Sequence, residues 1–275
     1  MNIRDGRTIT VSVEGTLIET FFYQAGEPDR GDVLLMHTGG AGASAFMCWY
    51  LNFDALVDAG YRVTAPDAPG FGQSVVLGSG SVTAAAFVPV FLDALGIAKA
   101  HVAGNSMGGV TLSHVAADYP QRVVSLTLSG GEPRVDTEAV RAIGSLGATP
   151  RNNFVREMFS KPELTFKDMR RATADFVFNR DLPAVDVVTQ LRLDTLSDAG
   201  AYQRAKNGAI GQVARRGGDA GTDYLVSILA PTFLLHGRDE PWFYPDQHRA
   251  PLTDAAMKAA LVIQDCTSTF LPHCG

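Results

Sequence analysis

Ser106 stands in Gly104-Asn105-Ser106-Met107-Gly108-Gly109, a Gly-x-Ser-x-Gly run between the apolar stretch His101–Ala103 and the helix-patterned stretch Val110–Tyr119. A hydroxyl is a weak nucleophile until a base takes its proton and a sharp turn lifts it clear of its own backbone. Gly104 and Gly108 suit that turn, because a residue without Cβ lets strand and helix close on the serine without collision. The backbone N–H of Met107 opens the helix and points into the same space. It can therefore hold a developing oxyanion, with the positive end of the helix behind it. A second donor is expected in His37-Thr38-Gly39-Gly40-Ala41-Gly42, where Gly39 or Gly40 brings a backbone amide close to a substrate oxygen. The bland alternative for Gly-x-Ser-x-Gly is a structural turn, and the strand before it, the helix after it and the upstream glycine turn together outweigh that alternative.

The elements that must position these residues alternate between strand and helix. Short apolar runs at Val33–Met36, Tyr61–Ala65, Ala100–Ala103, Val123–Leu128 and Pro231–Leu235 have the length of strands buried on both faces, which implies a parallel sheet. Between them, Phe53–Ala59, Val82–Leu95 and Val110–Tyr119 carry helical apolar spacing. Thr8–Val13 and Thr16–Tyr23, split by Glu14-Gly15, read as a hairpin at the antiparallel edge. The alternation stops after Gly131 and resumes near Leu225. We therefore expect residues 1–131 and 225–275 to form one α/β core, with a mostly parallel central sheet and helices on both faces. Residues 132–224 are expected to form an inserted helical cap over the carboxyl ends of the strands, where open α/β sheets bind ligands.

At 275 residues, 46% of them hydrophobic, the chain can bury a full core. Its formal charge of −6 is spread along the sequence rather than gathered into runs, which favours a small-molecule substrate over nucleic acid or an anionic membrane. The polar start Met1–Arg7 and the absence of a long apolar stretch predict a cytoplasmic protein without signal peptide or membrane span. Cys48, Cys266 and Cys274 are an odd number without metal-ligand spacing, so reduced thiols are expected, with neither a disulfide framework nor a metal site.

With these motifs the sequence resembles the α/β-hydrolase superfamily and, within it, the meta-cleavage product hydrolases, which break carbon–carbon bonds in ring-fission products of aromatic catabolism. The likeness spans nearly the whole chain. It is carried by His37–Gly42, by Val57-Asp58-Ala59-Gly60-Tyr61-Arg62-Val63, by Asp67-Ala68-Pro69-Gly70-Phe71-Gly72-Gln73-Ser74 and, above all, by Gly104–Gly109. The resemblance implies the α/β-hydrolase fold and cofactor-free hydrolysis of a 2-hydroxy-6-oxo-hexa-2,4-dienoate by Ser106. It also implies a homo-oligomer. By it, Asn105 helps to position the substrate's oxygen functions, and Arg192, in Val188-Thr189-Gln190-Leu191-Arg192, binds the substrate's carboxylate, a task that suits a guanidinium fork. The alternative for Arg192 is an ordinary solvated helix charge, with Arg170, Arg171 and Arg180 nearby.

The turn His236-Gly237-Arg238-Asp239-Glu240-Pro241 resembles the family's turn for the triad acid. Counting from Gly237 selects Glu240, whereas the late Pro245 allows Asp239, and both stay candidates. The family places its histidine directly after a Cys-Gly pair that follows the last strand, and here Cys274-Gly275 is where the sequence stops. By this resemblance the sequence looks truncated, lacking the closing helix as well, and His273 is the histidine nearest the expected place. His37, His101, His114, His236 and His248 are expected to be structural. Thr38 at a usually glycine position and Cys48 at a usual amide keep a carboxylesterase with the same serine as an alternative, and the unplaced base keeps a non-catalytic binding protein as another. Phe154, Met158, Phe159, Phe176, Phe178 and Trp242 are candidates for an aromatic pocket, with core packing as their commoner use.

Overall fold

The computed structural model describes residues 5–78, 82–131, 160–161, 164–174, 177–197, 199–210, 223–239 and 250–274. Strands β1 (Arg7–Val13) and β2 (Thr16–Ala25) form the expected hairpin, with Val13 opposite Thr16. Its two-residue turn needs positive φ at both central positions, and Glu14 and Gly15 adopt φ of 50° and 81°. Strands β3 (Asp32–Met36), β4 (Arg62–Pro66), β6 (Ala100–Asn105), β7 (Val123–Ser129), β8 (Thr232–Gly237) and β9 (Cys266–Leu271) complete the main sheet in the order β1-β2-β4-β3-β6-β7-β8-β9. From β4 to β9 every neighbouring pair is parallel, while β2 joins β4 antiparallel. A short strand that the sequence pattern does not announce, β5 (Val75–Leu77), pairs with β2.

Helices α1 (Ala45–Trp49), α2 (Phe53–Asp58), α3 (Ala84–Ala94) and α4 (Met107–Asp118) connect the strands of the first half. Between β7 and β8 the described residues hold α5 (Phe166–Ala174), α6 (Pro183–Leu196) and α7 (Ala199–Ile210), and α8 (Ala250–Val262) joins β8 to β9. The period of two in β3 shows why both faces of the sheet are dry. Leu34 and Met36 enter a core with Phe87, Phe91, Leu112, Leu126 and Leu234, while Val33 and Leu35 enter a second core with Phe53, Val63 and Ala65. A third, smaller core of Met169, Ala172 and Leu196 holds α5 against α6.

The expected mostly parallel α/β-hydrolase sheet is thus present. Helix α4 begins at Met107, as expected, and its first turn is closed by Val110 N–H donating to Ser106 O at 3.1 Å. Helix α1 has no long apolar period. Its start is made by Ser44, whose hydroxyl caps Met47 N–H at 3.3 Å, and by the Asp67 carboxylate.

Candidate active site

Ser106 is the single residue between the end of β6 and the start of α4, with φ 51° and ψ −114°, a left-handed φ that a side chain rarely adopts. The surrounding contacts over-determine this strain. Ser106 N–H donates to Ser129 O of β7 at 2.9 Å. A Cβ on Gly104 would run into Gly108, one on Gly108 into the Met36 and His37 carbonyls, and one on Gly131 into the Ser106 backbone. The missing Cβ atoms therefore let α4 lie directly on β6 and against the end of β3.

That packing carries the turn after β3 to the elbow. A Cβ on Gly39 would lie 3.2 Å from the Met107 sulfur, and one on Gly40 would lie 3.8 Å from Arg192 Nη1. The two backbone segments expected to supply oxyanion donors, at Met107 and at Gly39 or Gly40, thus lie side by side. Asn105 is engaged within the protein: its Nδ2 donates to Ser129 O at 2.9 Å and its Oδ1 faces the Cys48 sulfur at 3.8 Å. Burial pushes the Cys48 thiol up to about 11, so it is a neutral group.

Arg192 overturns the reading of a solvated helix charge. It is 5% exposed on α6, and its Nη1 donates to Ala41 O at 3.2 Å, at the rim of the glycine turn. Burial pulls its pKa down to about 10, which leaves the guanidinium charged at neutral pH. Gly42 makes the approach possible, since with φ 70° it presses on the Arg192 backbone where a Cβ has no room. Arg170, by contrast, is at the surface, pairing with Asp186 at 2.6 Å.

At the neighbouring carboxyl ends of β8 and β9, Asp239 accepts the backbone N–H of His273 at 2.6 Å, and Asp239 N–H donates to Cys274 O at 2.8 Å. The His273 ring nitrogen Nδ1 lies 4.0 Å from the Asp239 carboxylate, its side chain is 82% exposed, and the Phe178 ring is 5.7 Å away. Glu240, Phe154, Met158, Phe159, Phe176, Trp242 and His248 lie outside the described residues. Among the other histidines, His101 meets the Ser125 hydroxyl at 2.8 Å, His114 stacks on Tyr224, and His236 is buried beside Phe270.

His37, expected to be structural, is so, and beside it lies Asp67, whose contacts sequence reasoning missed. His37 is fully buried. Its Nε2 accepts Ala68 N–H at 2.8 Å, so the ring proton sits on Nδ1 and is donated to Thr38 O at 2.6 Å. Burial holds its pKa below the ordinary histidine value. The Asp67 carboxylate accepts Ala45 N–H at 2.7 Å and Gln73 N–H at 2.9 Å. The available signal was Asp67 at the end of an apolar strand, followed by a glycine-rich turn. Among the described residues no group of three or more histidine, cysteine, aspartate or glutamate side chains could hold a metal ion, and no helix is long and apolar enough to cross a membrane.

A strained serine between strand and helix, flanked by a glycine turn on a mostly parallel sheet, is the arrangement of one large family, described as the alpha/beta hydrolase fold, whose pattern matches residues 32–267. The chain belongs to the α/β-hydrolase-fold family. This α/β hydrolase is 31% identical to a 2-hydroxy-6-oxo-6-phenylhexa-2,4-dienoate hydrolase of Burkholderia cepacia, over 97% of this chain and 88% of the relative. It is 38% identical, over 76% of this chain and 71% of the relative, to a 2-hydroxy-6-oxononadienedioate/2-hydroxy-6-oxononatrienedioate hydrolase of a Pseudomonas species. A solved variant of a meta-cleavage product hydrolase aligns with a TM-score of 0.72 and 26% identity, covering 98% of this α/β hydrolase and 90% of that chain.

Proposed function

We propose that this α/β hydrolase cleaves the carbon–carbon bond of a 2-hydroxy-6-oxo-hexa-2,4-dienoate, with Ser106 as nucleophile and residues 132–224 serving as the cap over the site. The observation that carries the reading is Arg192, a buried cation on α6 whose fork reaches the glycine turn beside the elbow. A guanidinium at the rim of the glycine turn is placed to hold the carboxylate of a dienoate through charge-assisted hydrogen bonds. The names of the relatives from Burkholderia cepacia and the Pseudomonas species point to the same substrate class.

In this reading the dienol first becomes its keto tautomer, which gives the electrons of the breaking bond a carbonyl to flow into. Ser106 Oγ, or a water activated by the same base, then adds to the distal carbonyl, and its proton passes to the base. The oxyanion rests on the N–H groups of Met107 and of Gly39 or Gly40. The carbon–carbon bond breaks, the leaving carbon takes a proton, and the net consumption of one water yields 2-hydroxypenta-2,4-dienoate and a carboxylic acid. We assign Asp239 or Glu240 as the acid and His273 as the base, with Asn105 steadying the elbow. Incubation with 6-phenyl and 6-methyl dienoates, following loss of visible absorbance beside Ser106→Ala, tests the reading. Loss that the variant abolishes supports it. No loss, together with turnover of an aryl ester, would replace it by the carboxylesterase.

A further inference from the structure

The Asp67–Ser74 turn links three parts of the molecule that lie far apart in sequence. Asp67, buried at the end of β4, binds the first residue of α1 through Oδ1, and α1 begins where the glycine turn ends. Through Oδ2 it binds Gln73 N–H, and Gly72 lies so close to this carboxylate that a Cβ has no room there. The next residue, Ala68, donates to His37 Nε2, and His37 Nδ1–H in turn holds Thr38 O. That last bond has a directional consequence. The peptide between Thr38 and Gly39 is planar and trans, so anchoring the Thr38 carbonyl on the imidazole points the Gly39 N–H the opposite way. From outside the core, Arg204 on α7 donates through Nη2 to Gly72 O at 2.9 Å, and its charge acts on Asp67.

We propose that His37 and Asp67 act together as positioning residues that aim the Gly39 N–H into the oxyanion site, and that Arg204 couples this arrangement to the seating of α7. The inference rests on reading the glycine turn as the oxyanion site and selects Gly39 over Gly40 as its donor. Asp67 is buried, and Arg204, which holds Gly72 O next to it, is a cation whose charge favours the carboxylate. A shift of α7 removes that cation and the clamp on Gly72 together, which loosens the Asp67 turn and, through Ala68 and His37, the Thr38–Gly39 peptide. Seating of α7 thereby completes the oxyanion site.

Hydrogen exchange of the whole chain, wild type against Arg204→Met, Arg204→Lys and Asp67→Asn, tests the coupling. Arg204→Met is expected to speed exchange in the 37–45 segment by about tenfold while leaving β6 and β7 unchanged, and Arg204→Lys should restore most of the protection. In parallel, kcat for an aryl ester, normalised to Ser106 sites titrated with a phosphonylating reagent, should fall about tenfold or more in Arg204→Met with KM steady. Faster exchange confined to 67–74 and 199–210, or an unchanged kcat per titrated site, would overturn the proposal. If wild type turns over neither ester nor dienoate, the functional reading fails, while the exchange comparison still decides the coupling. If Asp67→Asn does not fold, Arg204→Met decides it alone.

Discussion

Ser106 keeps its left-handed backbone because each way of relaxing it meets another backbone: Gly108 abuts the end of β3 and Gly131 abuts the serine itself. With the geometry held independently of the hydroxyl, Ser106→Ala should leave the fold intact and lower kcat by at least about 10³-fold, measured on whichever substrate class proves active. Arg192 gives a contrasting prediction. Its burial lowers its own pKa to about 10, so the charged form is disfavoured inside the protein, and replacing a buried ion by an apolar chain of similar length is often neutral or stabilising. Arg192→Met is therefore expected to leave Tm unchanged or raise it by a few degrees, while KM for a carboxylate-bearing dienoate rises about 10- to 100-fold and KM for an uncharged aryl ester stays put. Calorimetry and parallel kinetics on the two substrates check both halves.

At the scale of elements, the site depends on how closely α4 and α6 approach the loops they cover. Gly108 lets α4 press on the carbonyls at the end of β3, and a methyl group there has to displace backbone. Gly108→Ala should cost about 3 kcal/mol, a fall in Tm of roughly 6–10 °C for a chain of this size, read by thermal unfolding. Gly42 does the same for α6, with Ser44 Oγ and Thr195 Oγ1 meeting at 3.3 Å beside it. Gly42→Ala combines a strained φ with a clash on the Arg192 backbone. It should lower kcat/KM for the dienoate about tenfold or more by lifting Arg192 from the turn, while β-sheet circular dichroism is unchanged.

For the molecule as a whole, the order β3-β6-β7-β8-β9, all parallel, brings the turns after β3, β6 and β8 and the residues after β9 to one edge of the sheet. The same edge holds a buried titrating pair with opposite effects on stability. His37 is neutral in the fold with its pKa lowered, so the unfolded chain binds more protons, and the stability it contributes is full above the unfolded histidine value and lost as pH falls below it. Asp67 has its pKa raised, so between its unfolded and folded values the folded chain binds more protons, and its stability contribution falls as pH rises through that window. Between about pH 7 and about pH 5, His37→Gln should flatten the fall of Tm, as calorimetry at several pH values would record.

Much of this was legible in the sequence because it depends on local pattern. Alternation marks β1 and β2, short continuous apolar runs mark β3, β4 and β6 to β8, and period-3.6 spacing marks α2 to α4, since burial of one face or both is what those elements are selected for. Gly-x-Ser-x-Gly marks the elbow because the steric demand falls on residues adjacent in the chain. Tertiary structure alone decided matters that depend on residues far apart. Whether Arg192 faces water or the glycine turn is set by how α6 docks, a contact across 151 positions that helical periodicity does not encode. Asp67 and His37 look like a loop carboxylate and a strand-end histidine until the parallel pairing of β3 with β4 sets them side by side and withdraws both from water. Desolvation then gives them their chemical character, because the cost of burying a charge depends on the surroundings that the folded chain assembles, and no single segment of the sequence contains those surroundings.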